Sequence, residues 1–186
     1  QDKVEQLRKN GVEVIPDPMQ DFLPEPNQEY KNGATAPELI FRSIVERYKD
    51  PSISIKTHQA TELHKKGYKG GNVNLTIVDT GISPHQDLPE IKAFDDMFTE
   101  EPNDPAIDHH GHGTHCAGIA AGTGAVFKAG MAPETELRGV AVLDKEGKGS
   151  ATSIQKGIER AVEWKKEDPD RPMVVSMSLG GQSMIP

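Results

Sequence analysis

The chain has 186 residues, with 21 Lys and Arg against 29 Asp and Glu for a net charge of −8 and a pI near 5.4. That length suits one domain or one and a half, enough to bury a core. The acidic balance excludes a protein that neutralises duplex nucleic acid or docks on an anionic membrane through a basic face. No apolar run approaches the roughly twenty residues of a membrane span, and the single cysteine, Cys116, excludes an internal disulfide. The opening Gln1-Asp2-Lys3-Val4 has no charged-then-apolar character, so no export signal is expected within the chain.

In chain order, Lys3 to Asn10 reads as a short helix closed by Gly11, and Val12, Val14 and Ile15 read as a short strand. Pro16, Pro18, Pro24 and Pro26 then interrupt both kinds of element and mark a linker. Thr35-Ala36-Pro37-Glu38 has capping-box spacing, and Leu39, Ile40, Ile44, Val45 and Tyr48 recur at helical period up to Asp50-Pro51. Residues 1–50 are thus read as an extension separate from residues 51–186.

Beyond Pro51, apolar strands, glycine-bearing turns and amphipathic helices alternate, which predicts an α/β parallel sheet with helices on both faces. Strands are expected at Val73 to Val78, Leu137 to Leu143 and Met173 to Met177. One helix is expected from His112 to Ala121, closed by Gly122. Another is carried by Ile154, Ile158, Ala161 and Val162 as the stripe against the sheet, with Ser150 or Thr152 as N-cap. Residues 95 to 108 hold Asp95, Asp96, Glu100, Glu101, Asp104 and Asp108 with no positive charge, and are expected to form a surface loop.

Three clusters could carry chemistry. Asp79-Thr80-Gly81 ends a buried strand, where open α/β sheets form binding crevices, although Asp-Thr-Gly equally suits the start of a turn. An aspartic-protease reading of that tripeptide needs a second aspartate loop and a β-rich body, which this pattern lacks. His109, His110, His112 and His115 crowd beside Cys116. Zinc could take His112, His115 and Cys116, but carboxylate or thiolate partners at ligand spacing are missing, and a helix start with histidines in polar gaps is the plainer reading. The third cluster is the strand end Ser176-Met177-Ser178-Leu179-Gly180-Gly181.

Taken in this order, the Asp strand, the Gly-His-Gly-Thr-His helix start and the Ser-Leu-Gly-Gly segment resemble the subtilisin-like serine proteases, whose triad runs Asp, His, Ser. The resemblance covers about residues 52–186 and includes flanking segments. These are His64 to Gly70, His85-Gln86-Asp87-Leu88, and Gly130-Met131-Ala132-Pro133 leading into Gly139 to Leu143. It implies the N-terminal half of a serine endopeptidase domain, with Asp79 as the triad aspartate and His112 as general base. His115 would be a packed structural histidine, and Cys116, similar to the free cysteine of the proteinase K branch, a small core residue. Ser178, Leu179 and Gly180 would pair with the backbone of a peptide or protein substrate.

The resemblance further implies no cofactor for the chemistry, a structural calcium ion with Asp87 as carboxylate ligand, and a secreted or extracytoplasmic setting. The sequence departs from the pattern at the calcium loop, where Thr123 to Lys128 is short and lacks carboxylates and Asn. It departs again at the nucleophile: Ser176, Ser178 and Ser183 do not sit in a Gly-Thr-Ser helix start, so none is assigned. The chain alone is therefore expected to be inactive, its partner being a complementary C-terminal fragment that carries the serine and the oxyanion-hole Asn. Residues 1–50 would be a propeptide tail and connector that contacts the substrate-binding side. The rival reading is a catalytically inactive, truncated protein that binds or inhibits peptides.

Overall fold

A computed structural model describes residues 2–10, 17, 19–23, 55, 57–99, 106–126 and 129–181. The strand expected at Val12 to Ile15, the four prolines of the linker and the helix expected from Ala36 to Tyr48 lie outside the described residues. The elements in order are α1 (Asp2–Lys9), β1 (Gln20–Asp21), α2 (Ala60–Lys65), β2 (Asn74–Asp79), β3 (Ile91–Asp96), α3 (His112–Ala121), β4 (Glu136–Ala141), β5 (Lys148–Gly149), α4 (Ala151–Glu167) and β6 (Met173–Ser176).

Four strands form one parallel sheet in the order β3-β4-β2-β6. Strand β2 is buried at all six positions, as a central parallel strand must be when helices cover both faces. Leu75 and Ile77, with Leu137 of β4, pack against Ala117 and Ala121 of α3 and against Ile82 and Leu88. Val78, with Val140 and Val142, points the other way and packs with Leu143 and Trp164 of α4. The period-2 alternation of the strands therefore assigns one face to each helix, and the predicted architecture is the one observed.

The two helix-bearing crossovers, β3 to β4 through α3 and β4 to β6 through α4, advance in the same direction along the sheet. Their helices nevertheless lie on opposite faces. The two connections are thus of opposite hand, and one belongs to the left-handed class that makes up only about 2% of parallel crossovers. The consequence is that α3 presents its N-terminus on one side of the carboxyl end of β2 while α4 closes the other.

Helix α4 begins where the sequence placed it: the Ser150 side chain accepts from the Ser153 amide, and Ser153 returns the bond to the Ser150 amide. Its buried face differs from the expected stripe. Ser153, Gly157, Ala161 and Trp164 face the sheet, and Ile154 packs at its border, whereas Ile158 and Val162 are exposed at 40% and 47%. The small residues win because the helix lies very close to the strands; a Cβ on Gly157 would sit 2.3 Å from Val142 Cγ1.

Strand β3 corrects the reading of residues 95 to 108. Asp95 and Asp96 belong to the sheet, paired with Val140 and Ala141. Asp95 pairs there with Arg160 of α4 at 2.9 Å, which offsets its charge. Helix α2 and the two-stranded β1–β5 pair were not legible as elements; the latter joins Gln20 to Gly149 and Asp21 to Lys148 in antiparallel register.

Candidate active site

Asp79 is the last residue of β2 and fully buried. Its Oδ1 accepts from the Thr80 amide at 2.7 Å and lies 2.7 Å from His112 Nδ1. Its Oδ2 has no hydrogen-bond partner among the described residues. His112 is the first residue of α3, with about a quarter of its side chain exposed. The carboxylate and the imidazole, 33 positions apart in sequence, are thus brought into contact by the strand end and the helix start.

Two glycines make that approach possible. Gly113 lies so close to the strand end that a Cβ there would fall 2.1 Å from the Gly81 carbonyl oxygen and 3.1 Å from Asp79 Cβ. Gly81 has φ +116, in the region that favours glycine, and a Cβ would meet the Ile107 carbonyl at 2.2 Å. The Asp-Thr-Gly and His-Gly spacings are therefore steric requirements of one junction.

The junction is held by Asp108, which the sequence reading left in a surface loop. Asp108 bridges to Gly81. Its Oδ1 accepts from the Thr80 hydroxyl at 2.9 Å and from the Gly111 and His110 amides at 2.8 and 3.1 Å. Its Oδ2 accepts from the Thr114 amide and hydroxyl at 2.9 and 2.7 Å. Burial alone would raise the Asp108 carboxyl, but the bonds from Thr114, Gly111 and Thr80 together hold it below its ordinary value. The Thr80 hydroxyl in turn accepts from the Gly113 amide at 3.0 Å, so strand end, loop and helix start form one network. The signal that could have found Asp108 is its position just ahead of a helix start, where an Asp side chain satisfies orphan amides.

Chemically, an anionic carboxylate beside Nδ1 holds an imidazole in one tautomer and stabilises its protonated form. The other ring nitrogen is left to exchange a proton with a substrate group or nucleophile. Cys116, one turn along α3, places Sγ 3.8 Å from the same Nδ1. Burial and the charges of Asp79 and Asp108 push its thiol up, against a lowering contact from Ser178, which disfavours the thiolate. The ligand atoms of Asp79, His112 and Cys116 lie within 4.8 Å of one another. A metal there would have to displace the Asp79–His112 bond, and His115, the other nitrogen weighed for zinc, is exposed and outside that group. That exposure also corrects its reading as a packed residue: no described element covers the outer side of α3 at His115 and Ile119.

A sequence profile of the Subtilase family matches residues 70–185. The chain belongs to that family. This subtilase is 43% identical over 120 residues to Serine protease AprX of Bacillus subtilis (strain 168), spanning 62% of this chain and 27% of that protein. It is 35% identical to Subtilisin E of the same organism, spanning 82% of this chain and 43% of that protein. It is 41% identical to its Major intracellular serine protease, spanning 71% and 41%. The subtilase therefore spans less than half the length of these curated relatives.

The remaining predicted residues are also located. Ser178 contacts the Cys116 thiol, which puts the end of β6 beside the α3 dyad. Leu179 packs with the Val78–Val140–Trp164 cluster, and the Gly180 amide donates to the Phe22 carbonyl at 3.0 Å. Phe22 also donates its own amide to Gly147 at 3.4 Å, and its ring lies against Gly181. The Gln20–Phe22 segment thus runs as an added strand between β5 and Gly180. Upstream, Asp17 accepts from the Ala151 and Thr152 amides at the start of α4 at 3.0 and 3.1 Å. Asp87 is buried and lies away from the dyad, at the loop that follows α3; its Oδ1 accepts from the Thr123 hydroxyl and the Val126 amide. The flanking segments meet as well: His64 Nε2 lies 2.9 Å from the Met131 carbonyl, and Gly70 packs on Ala132.

Proposed function

We propose that this chain is the Asp- and His-bearing part of a serine endopeptidase domain, with Asp79 orienting His112 and His112 acting as general base and then general acid. The observation that carries the reading is the 2.7 Å contact between Asp79 Oδ1 and His112 Nδ1 at the carboxyl end of β2. Family membership supports peptide-bond hydrolysis as the reaction class. In this reading His112 takes the proton of a serine hydroxyl, the serine oxygen attacks the scissile carbonyl, and His112 returns the proton to the leaving amine. No metal or cofactor enters these steps.

Ser178, Leu179 and Gly180 are proposed to bind the substrate backbone as one neighbouring strand, with Gly147 to Gly149 as the other. The chain's own Gln20–Phe22 segment supports this, since it already pairs with both. In this reading residues Gln20–Phe22 occupy the peptide groove, as expected of a propeptide tail. The nucleophilic serine and the oxyanion donor are assigned to a complementary part, which accords with the chain spanning 27% to 43% of three relatives. Exposed Val174, Val175 and Met177 on and beside β6 offer apolar surface for that part. An extracytoplasmic setting is proposed from the family alone; the relative named as intracellular makes secretion of this chain a matter for a localisation assay.

The test is kinetic. In the protein that contains the complementary part, Asp79→Asn is expected to lower kcat about 10,000-fold with substrate binding kept, while His115→Ala stays within tenfold. A loss of tenfold or less for Asp79→Asn removes the dyad from the mechanism.

A further inference from the structure

The family resemblance implies a calcium ion at Asp87, and the residues present do not fit one. Calcium takes six to eight oxygen ligands, several of them carboxylate or free carbonyl. Asp87 stands in no group of three ligand-type side chains among the described residues. The loop Thr123-Gly124-Ala125-Val126-Phe127-Lys128-Ala129 contains no carboxylate or carboxamide and one lysine. The carbonyls at the end of α3 are already engaged. Gly118 accepts from Gly122 at 3.0 Å, Ile119 from Met131 at 3.1 Å, and Ala120 from Ala132 at 2.7 Å. Gly122 itself accepts from Gly130 at 2.7 Å, closing the base of the loop.

Donors stand where a cation would. Asp87 is 6% exposed, and its Oδ1 accepts from the Thr123 hydroxyl at 3.3 Å and the Val126 amide at 3.1 Å. Its main-chain carbonyl accepts from the Thr123 amide at 2.8 Å. A hydroxyl and an amide aimed at a buried carboxylate stabilise its charge by charge-assisted bonds, and both would have to turn away to admit an ion.

We propose that Asp87 and residues Gly122–Val126 form a metal-free clasp, in which the chain's own donors replace calcium, so that this subtilase fold is stable without the ion. The proposal concerns stability, and its failure would leave the peptidase reading untouched.

Thermal unfolding of the full chain in EGTA and in millimolar CaCl2 tests it, for the natural sequence, Asp87→Asn and Thr123→Val. The natural sequence is expected to show the same Tm in both conditions. Asp87→Asn is expected to lose roughly 5 °C in both, and Thr123→Val, which removes one hydroxyl and no charge, less than half of that in both. A calcium-dependent rise in Tm that Asp87→Asn abolishes would overturn the clasp, as would an Asp87→Asn variant unfolding at the natural Tm in EGTA. A rise shared by the natural sequence and Asp87→Asn would place a stabilising ion elsewhere and overturn the claim that the fold is stable without calcium.

Discussion

Two regions of this molecule are built to different standards. Around the carboxyl end of β2, every approach is closed: Asp79 is fully buried, Gly113 and Gly81 leave no room for a Cβ, and Asp108 accepts five hydrogen bonds. Along β6 and the outer sides of α3 and α4, by contrast, Val174, Val175, Ile119, Ile158 and Val162 face solvent. The first region pre-organises chemistry, since a dyad held by packing and hydrogen bonds needs no rearrangement to work. The second has the composition of a core face without the cover, which is the texture of an interface.

The largest test of the contrast is steric. Gly157→Val, in the closed layer between α4 and the sheet, places methyls where Val142 already lies, and overpacking there is expected to cost about 3 kcal/mol in urea unfolding. A variant as stable as the natural protein would mean that α4 stands farther from the sheet.

Next comes Asp108→Ala, which removes the cap of α3 and should cost about 1–2 kcal/mol. Its pH dependence is specific. Because the folded carboxyl is held below its ordinary value, the contribution of Asp108 is present above the unfolded value of about 4. It is lost as pH falls through the folded value. Stability curves of the natural protein and Asp108→Ala should therefore converge in acid and separate toward neutrality. Parallel curves would show that the network carries no charge-dependent stability.

The smallest effect belongs to the open region. Val175→Lys should change the stability of this chain by no more than about 0.5 kcal/mol, as at an ordinary surface site, yet weaken capture of a complementary part in a binding assay. A loss near 2 kcal/mol in the isolated chain would show that Val175 is already covered.

The legibility of the sequence divides along the same line. Strand β2, helix α3 from His112 to Ala121 and the Ser150 cap were readable because each rests on a local signal: an apolar run, a glycine-bounded helix, a hydroxyl at the right offset. Asp79 and His112 were readable as a pair only through motif order, since no local rule brings together residues 33 positions apart. Asp108 was misread because a charge run was weighed by its solvation, while its five donors come from Thr80, 28 positions earlier, and from His110, Gly111 and Thr114 just after it. The face of α4 was misread because bulk was taken as the mark of burial; close packing selected Gly157 and Ala161 and turned Ile158 and Val162 outward. His115, assigned to packing, lies on the uncovered side of α3.

The central claim is that Asp79 sets the state of the His112 ring, and 15N NMR of the histidine side chains reads it directly. In its neutral form the His112 ring of the natural chain should carry its proton on Nδ1, and Asp79→Asn should shift that population while the other histidines keep their spectra. A neutral His112 ring with its single proton on Nε2, or a ring indifferent to Asp79→Asn, would contradict the account.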